Sequence, residues 1–292
     1  MANNQSQQTN VSGAASVSQL TLPIVNDGFI NVITELPASG LIAKTFICSN
    51  FDLANQTNVY YMKVYNDDKF VINEMVGYIL AKASGLDVAN KAYLLEIDSV
   101  TRALIDDFYK RRGLANNKEH YNSNYAFLIS SAPGININTY HSNIVLQTAF
   151  FKQKISNWNK NNSLIAFDEW VANTDRNAGN ILFGTNANYV IDHGSMPVQM
   201  NWTRSCLQSK QCFKNVHYIN TSTVMGKNPL DVDLLNESSK HALAFSNVKN
   251  SIISIIANTV KMSPDYQEMI DFIEDRSKNV RTATYANMAG AR

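Results

Sequence analysis

Asp175 and Asn180 stand five positions apart in the run Asn173-Thr174-Asp175-Arg176-Asn177-Ala178-Gly179-Asn180, and Asp192 follows in Asp192-His193-Gly194. A carboxylate and an amide at that spacing suit phosphoryl transfer. The carboxylate orients or deprotonates an acceptor hydroxyl while the amide oxygen holds a divalent cation. Asp192 adds a second hard oxygen, and Gly194 behind it lets the chain turn sharply. Such oxygens suit Mg²⁺ rather than a soft metal. Taken singly, the Asp and Asn pair is equally an Asx turn capping a hairpin. The combination of the three points to chemistry.

The same chemistry needs a cation on the nucleotide phosphates and a carboxylate that fixes its rotamer. Lys63 is the only charge in the apolar run Val59-Tyr60-Tyr61-Met62-Lys63-Val64-Tyr65, and Glu74 lies in the first turn of the helix expected next. Each has a plainer reading: an edge-strand lysine reaching solvent, and an acid placed favourably near a helix N-terminus.

These residues must be positioned by regular elements. Phe29–Ile33 and Leu41–Ile47 have strand character and flank Leu36-Pro37-Ala38-Ser39-Gly40, which predicts a hairpin. Val59–Tyr65 predicts a third strand. From Phe70 the apolar period becomes helical through Ala83, with one core face, Glu74 beside it and Gly85 as the cap. Ala92–Ile97 and Tyr125–Ser130 read as strands on either side of a charged, surface-like stretch, Asp106 to His120. Beyond Ser131-Ala132-Pro133-Gly134 the pattern is helical at Ile144–Trp158 and Leu164–Ala172. A short hairpin of Ile181–Phe183 and Tyr189–Ile191 follows. The last helix is announced by Ser263 as N-cap and Pro264 at its first position. The fold class expected is α+β, a β-rich N-terminal part holding one key helix and a mainly helical C-terminal part.

The 292 residues suffice for one large domain or two lobes. Lys and Arg total 25 against 24 Asp and Glu, a net charge of +1, which gives no support to nucleic-acid binding through a basic surface. Cys48, Cys206 and Cys212 form no CxxC pair, so neither a disulfide framework nor a four-cysteine zinc site is expected, and a reducing cytoplasmic setting is. Val248–Val260, the most apolar helical stretch, is broken by Lys249, Asn250, Ser251, Ser254, Asn258 and Thr259, so no membrane span is expected. Residues 1–20 read as a polar, disordered tail without the features of a secretory signal. His120, His141, His217 and His241 show no metal spacing, and His193 and Trp170 fit packing roles. Cys206 and Cys212 lie in a basic, polar stretch, Thr203 to Lys214, that shapes an acceptor site or is a plain loop.

The run Asn73-Glu74-Met75-Val76-Gly77-Tyr78-Ile79-Leu80-Ala81-Lys82-Ala83-Ser84-Gly85-Leu86, placed after a Lys63-Val64-Tyr65 strand, resembles the HipA-like kinases, especially compact members. So do Asp168 to Leu182 and Val190-Ile191-Asp192-His193-Gly194. The Asp-Arg and Ile-Asp elements are also similar to the phosphatidylinositol 3/4-kinase core. The resemblance implies a two-lobed protein-kinase-like fold that uses ATP and Mg²⁺, with lobes at 21–131 and 132–292. It implies Lys63 on phosphate, Glu74 as its partner, Asp175 as catalytic Asp, and Asn180 and Asp192 as metal ligands. Ile129, Ser130 and Ser131 would form the hinge whose backbone meets adenine. No G-x-G-x-x-G is present, and Ser39 and Gly40 of Ala38-Ser39-Gly40-Leu41 are the candidate substitute over the phosphates, or an ordinary turn. The activity expected is transfer to a protein Ser/Thr hydroxyl. A lipid or small-molecule kinase and a nucleotide-binding pseudokinase stand as alternatives, and an antitoxin-like protein is a candidate partner.

Overall fold

A computed structural model describes residues 22–26, 29–30, 32–35, 44–51, 57–111, 122–140 and 142–279 of the chain. The first lobe is built on a six-stranded sheet: β1 (Ile24–Val25), β2 (Val32–Glu35), β3 (Lys44–Phe51), β4 (Thr57–Val64), β5 (Ala92–Glu96) and β6 (Tyr125–Ser130), in the order β1-β5-β6-β4-β3-β2. All neighbours are antiparallel except β1 and β5. Helix α1 (Asp68–Ala83) lies between β4 and β5, and α2 (Ser99–Arg111) between β5 and β6.

Strand alternation sorts β4 onto two faces. Tyr60, Met62 and Val64 pack with Phe46, Cys48, Leu95, Ala126, Leu128 and Ile105 of α2. Lys63 therefore projects from the opposite face, where α1 lies. Asp67 caps α1 by accepting from the Lys69 amide at 2.8 Å, and Gly85 beyond its end adopts φ of 78°. The sequence pattern gives α1 one core face, but every residue from Phe70 to Ala81 is buried. The helix is covered by β6 of its own lobe on one side and by a helix of the second lobe, α8 below, on the other.

The second lobe contains β7 (Ile135–Asn136), α3 (Ile137–Tyr140), α4 (Ile144–Ser156), α5 (Asn161–Trp170), β8 (Ile181–Phe183), β9 (Asn188–Val190), α6 (Val216–Met225), α7 (Asp231–Ser238), α8 (His241–Thr259) and α9 (Pro264–Lys278). Strands β7, β8 and β9 form a small antiparallel sheet. The two-lobed α+β architecture read from the sequence is the one observed.

Several boundaries move. Phe29 lies in a helical turn, and the strand expected from it begins at Val32. The next strand runs from Lys44 to Phe51 rather than ending at Ile47, because pairing with Thr57–Val64 extends it. The charged stretch after Asp106 begins as helix, with α2 continuing to Arg111 and burying Thr101 and Ile105. Strand β7 and helix α3 carry no sequence signal long enough to announce them. Residues 1–20 and 36–43, which include Ser39 and Gly40, lie outside the described residues.

Candidate active site

Glu74 is 1% exposed, and both its oxygens are used. Oε1 accepts from Lys63 Nζ at 2.5 Å and from the Tyr65 hydroxyl at 2.8 Å, while Oε2 accepts from the His193 backbone amide at 2.9 Å. One carboxylate thus joins β4, α1 and the segment after β9. Lys63 Nζ is also 3.3 Å from Asp192 Oδ1, so a single ammonium stands between two acids. Burial works against the lysine's charge, yet Asp192 and Glu74 outweigh it and hold the Lys63 pKa above its ordinary value.

The two acids are unlike. Burial pushes the Glu74 carboxyl up. Asp192 feels the same upward pull from burial, but the Lys63 ammonium prevails and holds its carboxyl well below the usual range. The Asp192 side chain is also 44% exposed. It is the ionised acid with room for another cation.

Backbone geometry turns Asp192 toward the lysine. Its φ of 60° lies in the left-handed region, which Asp enters more readily than most residues. Behind it, the His193 ring packs against α1 at Gly77, where a Cβ would lie 2.3 Å from His193 Cβ. Any side chain at position 77 would push α1 away from the Asp192 segment.

The loop after α5 brings the remaining residues in. Asp175 is exposed, while its neighbour Arg176 is fully buried. Arg176 Nε reaches both oxygens of Asp168 at 3.3 Å. Its Nη1 donates to the carbonyls of Ile191 and Asp192, and its Nη2 lies 3.2 Å from His193 Nδ1. Guanidinium only donates, so His193 Nδ1 accepts and the ring proton resides on Nε2. Burial and then the Arg176 charge keep His193 far below its ordinary pKa, and it is neutral. Arg176 thereby fastens the Asp175 loop to the Asp192 segment from beneath.

Asn180 completes the arrangement. Its Nδ2 donates to the Asp175 carbonyl at 2.8 Å, and its carbonyl accepts from the Ile191 amide at 3.1 Å, continuing the β8–β9 ladder to the residue before Asp192. With Nδ2 so used, Oδ1 is left for another partner. Asn177 caps the turn at Ala178–Asn180 by accepting from the Gly179 amide at 2.9 Å. The structure thus gathers Lys63, Glu74, Asp175, Asn180 and Asp192 at the junction of the lobes.

The residues expected to form the hinge lie at the end of β6. Ile129 is in β6 between β4 and β5, the Ser130 amide donates to Lys91 O at 2.9 Å, and the Ser131 amide donates to Val59 O at 3.1 Å. Both amides are occupied within the sheet. Sequence reasoning gave no role to Asn73, Arg176 and Trp202: the partners of Asn73 and Trp202 lie more than a hundred positions away, and no local pattern announces the burial of a charged Arg176 in a polar loop. Cys48, Cys206 and Cys212 are free thiols, and burial pushes Cys48 up to about 12.

No family model matches the chain, and no curated protein matches it in sequence. Among solved structures it is similar to a Helicobacter pylori proinflammatory kinase, CtkA, at 14% identity and a TM-score of 0.48, covering 92% of this chain and 99% of that one. It is also similar to the FAT and kinase domain of CtTel1, at 14% identity and a TM-score of 0.40, covering 89% of this chain and 22% of that one. The open conformation of CtTel1 gives 13% identity and the same TM-score, with 12% of that chain covered.

Proposed function

We propose that the protein is an ATP- and Mg²⁺-dependent phosphotransferase acting on a protein Ser/Thr hydroxyl. One observation carries this reading: Lys63 Nζ lies 2.5 Å from buried Glu74 and 3.3 Å from half-exposed Asp192, beside a loop that presents Asp175 and Asn180. A structural ion pair needs one acid; here a cation is held by one sealed acid and shares a second that is open to solvent.

In this scheme Lys63 sits against the nucleotide phosphates, and Glu74 fixes its rotamer through an anchor shared with Tyr65 and the His193 amide. Asp175, exposed on a loop held rigid by Arg176 and Asn180, orients the acceptor hydroxyl and takes up its proton. Asp192 and Asn180 Oδ1 fit a Mg²⁺ ion: both are hard oxygens, one carries charge, and Mg²⁺ characteristically takes few protein ligands beside phosphates and water. The ion would neutralise charge on the transferring group. With the Ser130 and Ser131 amides engaged, the main-chain donor we assign to adenine is Ala132, whose amide has no partner among the described residues.

A protein acceptor is favoured over an anionic lipid headgroup by charge: 25 Lys and Arg against 24 Asp and Glu leave a net charge of +1, which offers no general basic field to an anionic surface. Among the described residues no helix is long and apolar enough to cross a membrane. The motifs shared with HipA-like kinases support the same reading.

The test is incubation with γ-labelled ATP and Mg²⁺, offering a protein mixture and phosphoinositide vesicles in parallel. Label on protein Ser or Thr, abolished by Asp192→Ala, is expected. Label on lipid alone would replace the acceptor class, and binding of nucleotide without transfer to any acceptor would reduce the protein to a pseudokinase.

A further inference from the structure

Asn73 precedes Glu74 on α1, is fully buried, and has all three of its polar contacts on one distant segment. Its Nδ2 donates to Gly194 O at 3.3 Å and Met200 O at 3.0 Å, and its Oδ1 accepts from Trp202 Nε1 at 3.0 Å. Trp202 is itself fully buried. On its other side Lys69, one turn earlier on α1, donates to Trp202 O at 3.1 Å and places Nζ 4.4 Å from the ring. Three positions of one helix, 69, 73 and 74, therefore grip the chain from His193 to Trp202.

We infer that Asn73 and Trp202 form a latch that positions Asp192: they are positioning residues, acting through Asp192 rather than on the reactants. The inference rests on the reading of Asp192 as a metal ligand in a phosphotransferase. Asp192 immediately precedes the gripped segment and adopts a left-handed backbone conformation that needs support from its surroundings. Glu74 holds His193 N from the front, and Asn73 closes the far end of the turn from Gly194 to Trp202. With both in place, α1 and the metal-holding carboxylate move as one body. Without Asn73 the turn loses the contacts that join Gly194, Met200 and Trp202 to one point of α1, keeping Glu74 at one end and Lys69 at the other, and Asp192 is held less firmly against the lysine.

The chemistry singles out Asn at position 73. It must accept one hydrogen bond and donate two, which an amide does and a carboxylate cannot. Asn73→Asp keeps the shape but sets a carboxylate against two carbonyls. Trp202→Phe keeps an aromatic ring and removes the Nε1 donor together with part of the buried indole.

The test uses full-length protein and a non-hydrolysable ATP analogue. For wild type, Asn73→Asp and Trp202→Phe, binding of the analogue is titrated with Mg²⁺, binding of adenosine is measured without metal, and amide exchange is followed over residues 192–202. Both variants are expected to need about tenfold more Mg²⁺ for half-saturation, as for lost support behind a metal ligand. Adenosine affinity stays unchanged and exchange quickens over 192–202. A general loss of fold would instead weaken adenosine binding and quicken exchange throughout, which would overturn the latch. So would unchanged Mg²⁺ demand in both variants. If wild-type binding shows no Mg²⁺ dependence, the metal reading of Asp192 falls by itself, and exchange over 192–202 still decides whether the latch exists.

Discussion

Lys63–Glu74 and Arg176–Asp168 are ion pairs withdrawn from water a short distance apart, and they differ in what else reaches them. Arg176 and Asp168 are both wholly buried, and the guanidinium spends its remaining donors on Ile191 O, Asp192 O and His193 Nδ1. Every nitrogen of the guanidinium has a partner, which marks a fastening. Lys63 keeps 14% of its side chain exposed and faces a second acid that is itself half-open. Charge is held there in surplus and within reach of solvent. A buried pair with every donor satisfied stabilises an arrangement; a pair with an accessible third charge can bind something.

The contrast predicts that substitutions in the sealed pair cost stability and those in the open pair cost rate. The largest effect is expected for Arg176→Met, which strands the Asp168 carboxylate and should lower unfolding stability by about 3–5 kcal/mol in urea titration. An Arg176→Met protein as stable as wild type would erase the distinction.

Next is pH. Burial, only partly opposed by Arg176, pushes Asp168 up to about 6 from an ordinary carboxylate value of 3.8. The folded state therefore holds this proton more tightly than the unfolded chain. Its contribution to stability is full below pH 3.8 and is lost as pH rises through about 6, a change of about 2–3 kcal/mol. The difference in unfolding free energy between wild type and Asp168→Asn should change by this amount across that window, and parallel curves would refute it.

In the open pair, Glu74→Gln keeps the shape and one accepting oxygen, sets an NH₂ where the other oxygen accepted, and gives up the charge on Lys63. Transfer should fall about tenfold, about 1.4 kcal/mol, with a smaller loss of stability. A large stability loss with unchanged rate would reverse the assignment. The smallest effect is expected from Tyr65→Phe, which removes one hydrogen bond to Glu74 and should cost about 1 kcal/mol of stability. Here calorimetry is the check.

Much of this was legible in the sequence, for local reasons. Asp67, Gly85, Ser263 and Pro264 mark helix ends by side-chain chemistry that acts within a few residues. The alternation of Tyr60, Met62 and Val64 already places Lys63 on the other face. What stayed hidden depended on partners far along the chain. The twelve-residue burial of α1 follows from α8 covering it, and Asn73 gains its importance from residues more than a hundred positions away. Helix α4 shows the reverse: it is as apolar by pattern, yet Ile144, Val145 and Leu146 are exposed and only Phe151 and Ile155 are buried. Apolarity announces a helix; the neighbour decides which face is core.

The most direct measurement compares wild type with Asp175→Ala, recording both Mg²⁺·ATP affinity and transfer of the γ-labelled phosphoryl group. Asp175 is exposed and, unlike Lys63 and Asp192, belongs to the acceptor side of the proposed chemistry. Affinity should be retained while transfer falls by about 10²–10⁴-fold, the range for a removed acid–base group. Transfer at the wild-type rate in Asp175→Ala would contradict the assignment of this cleft as the site of phosphoryl transfer.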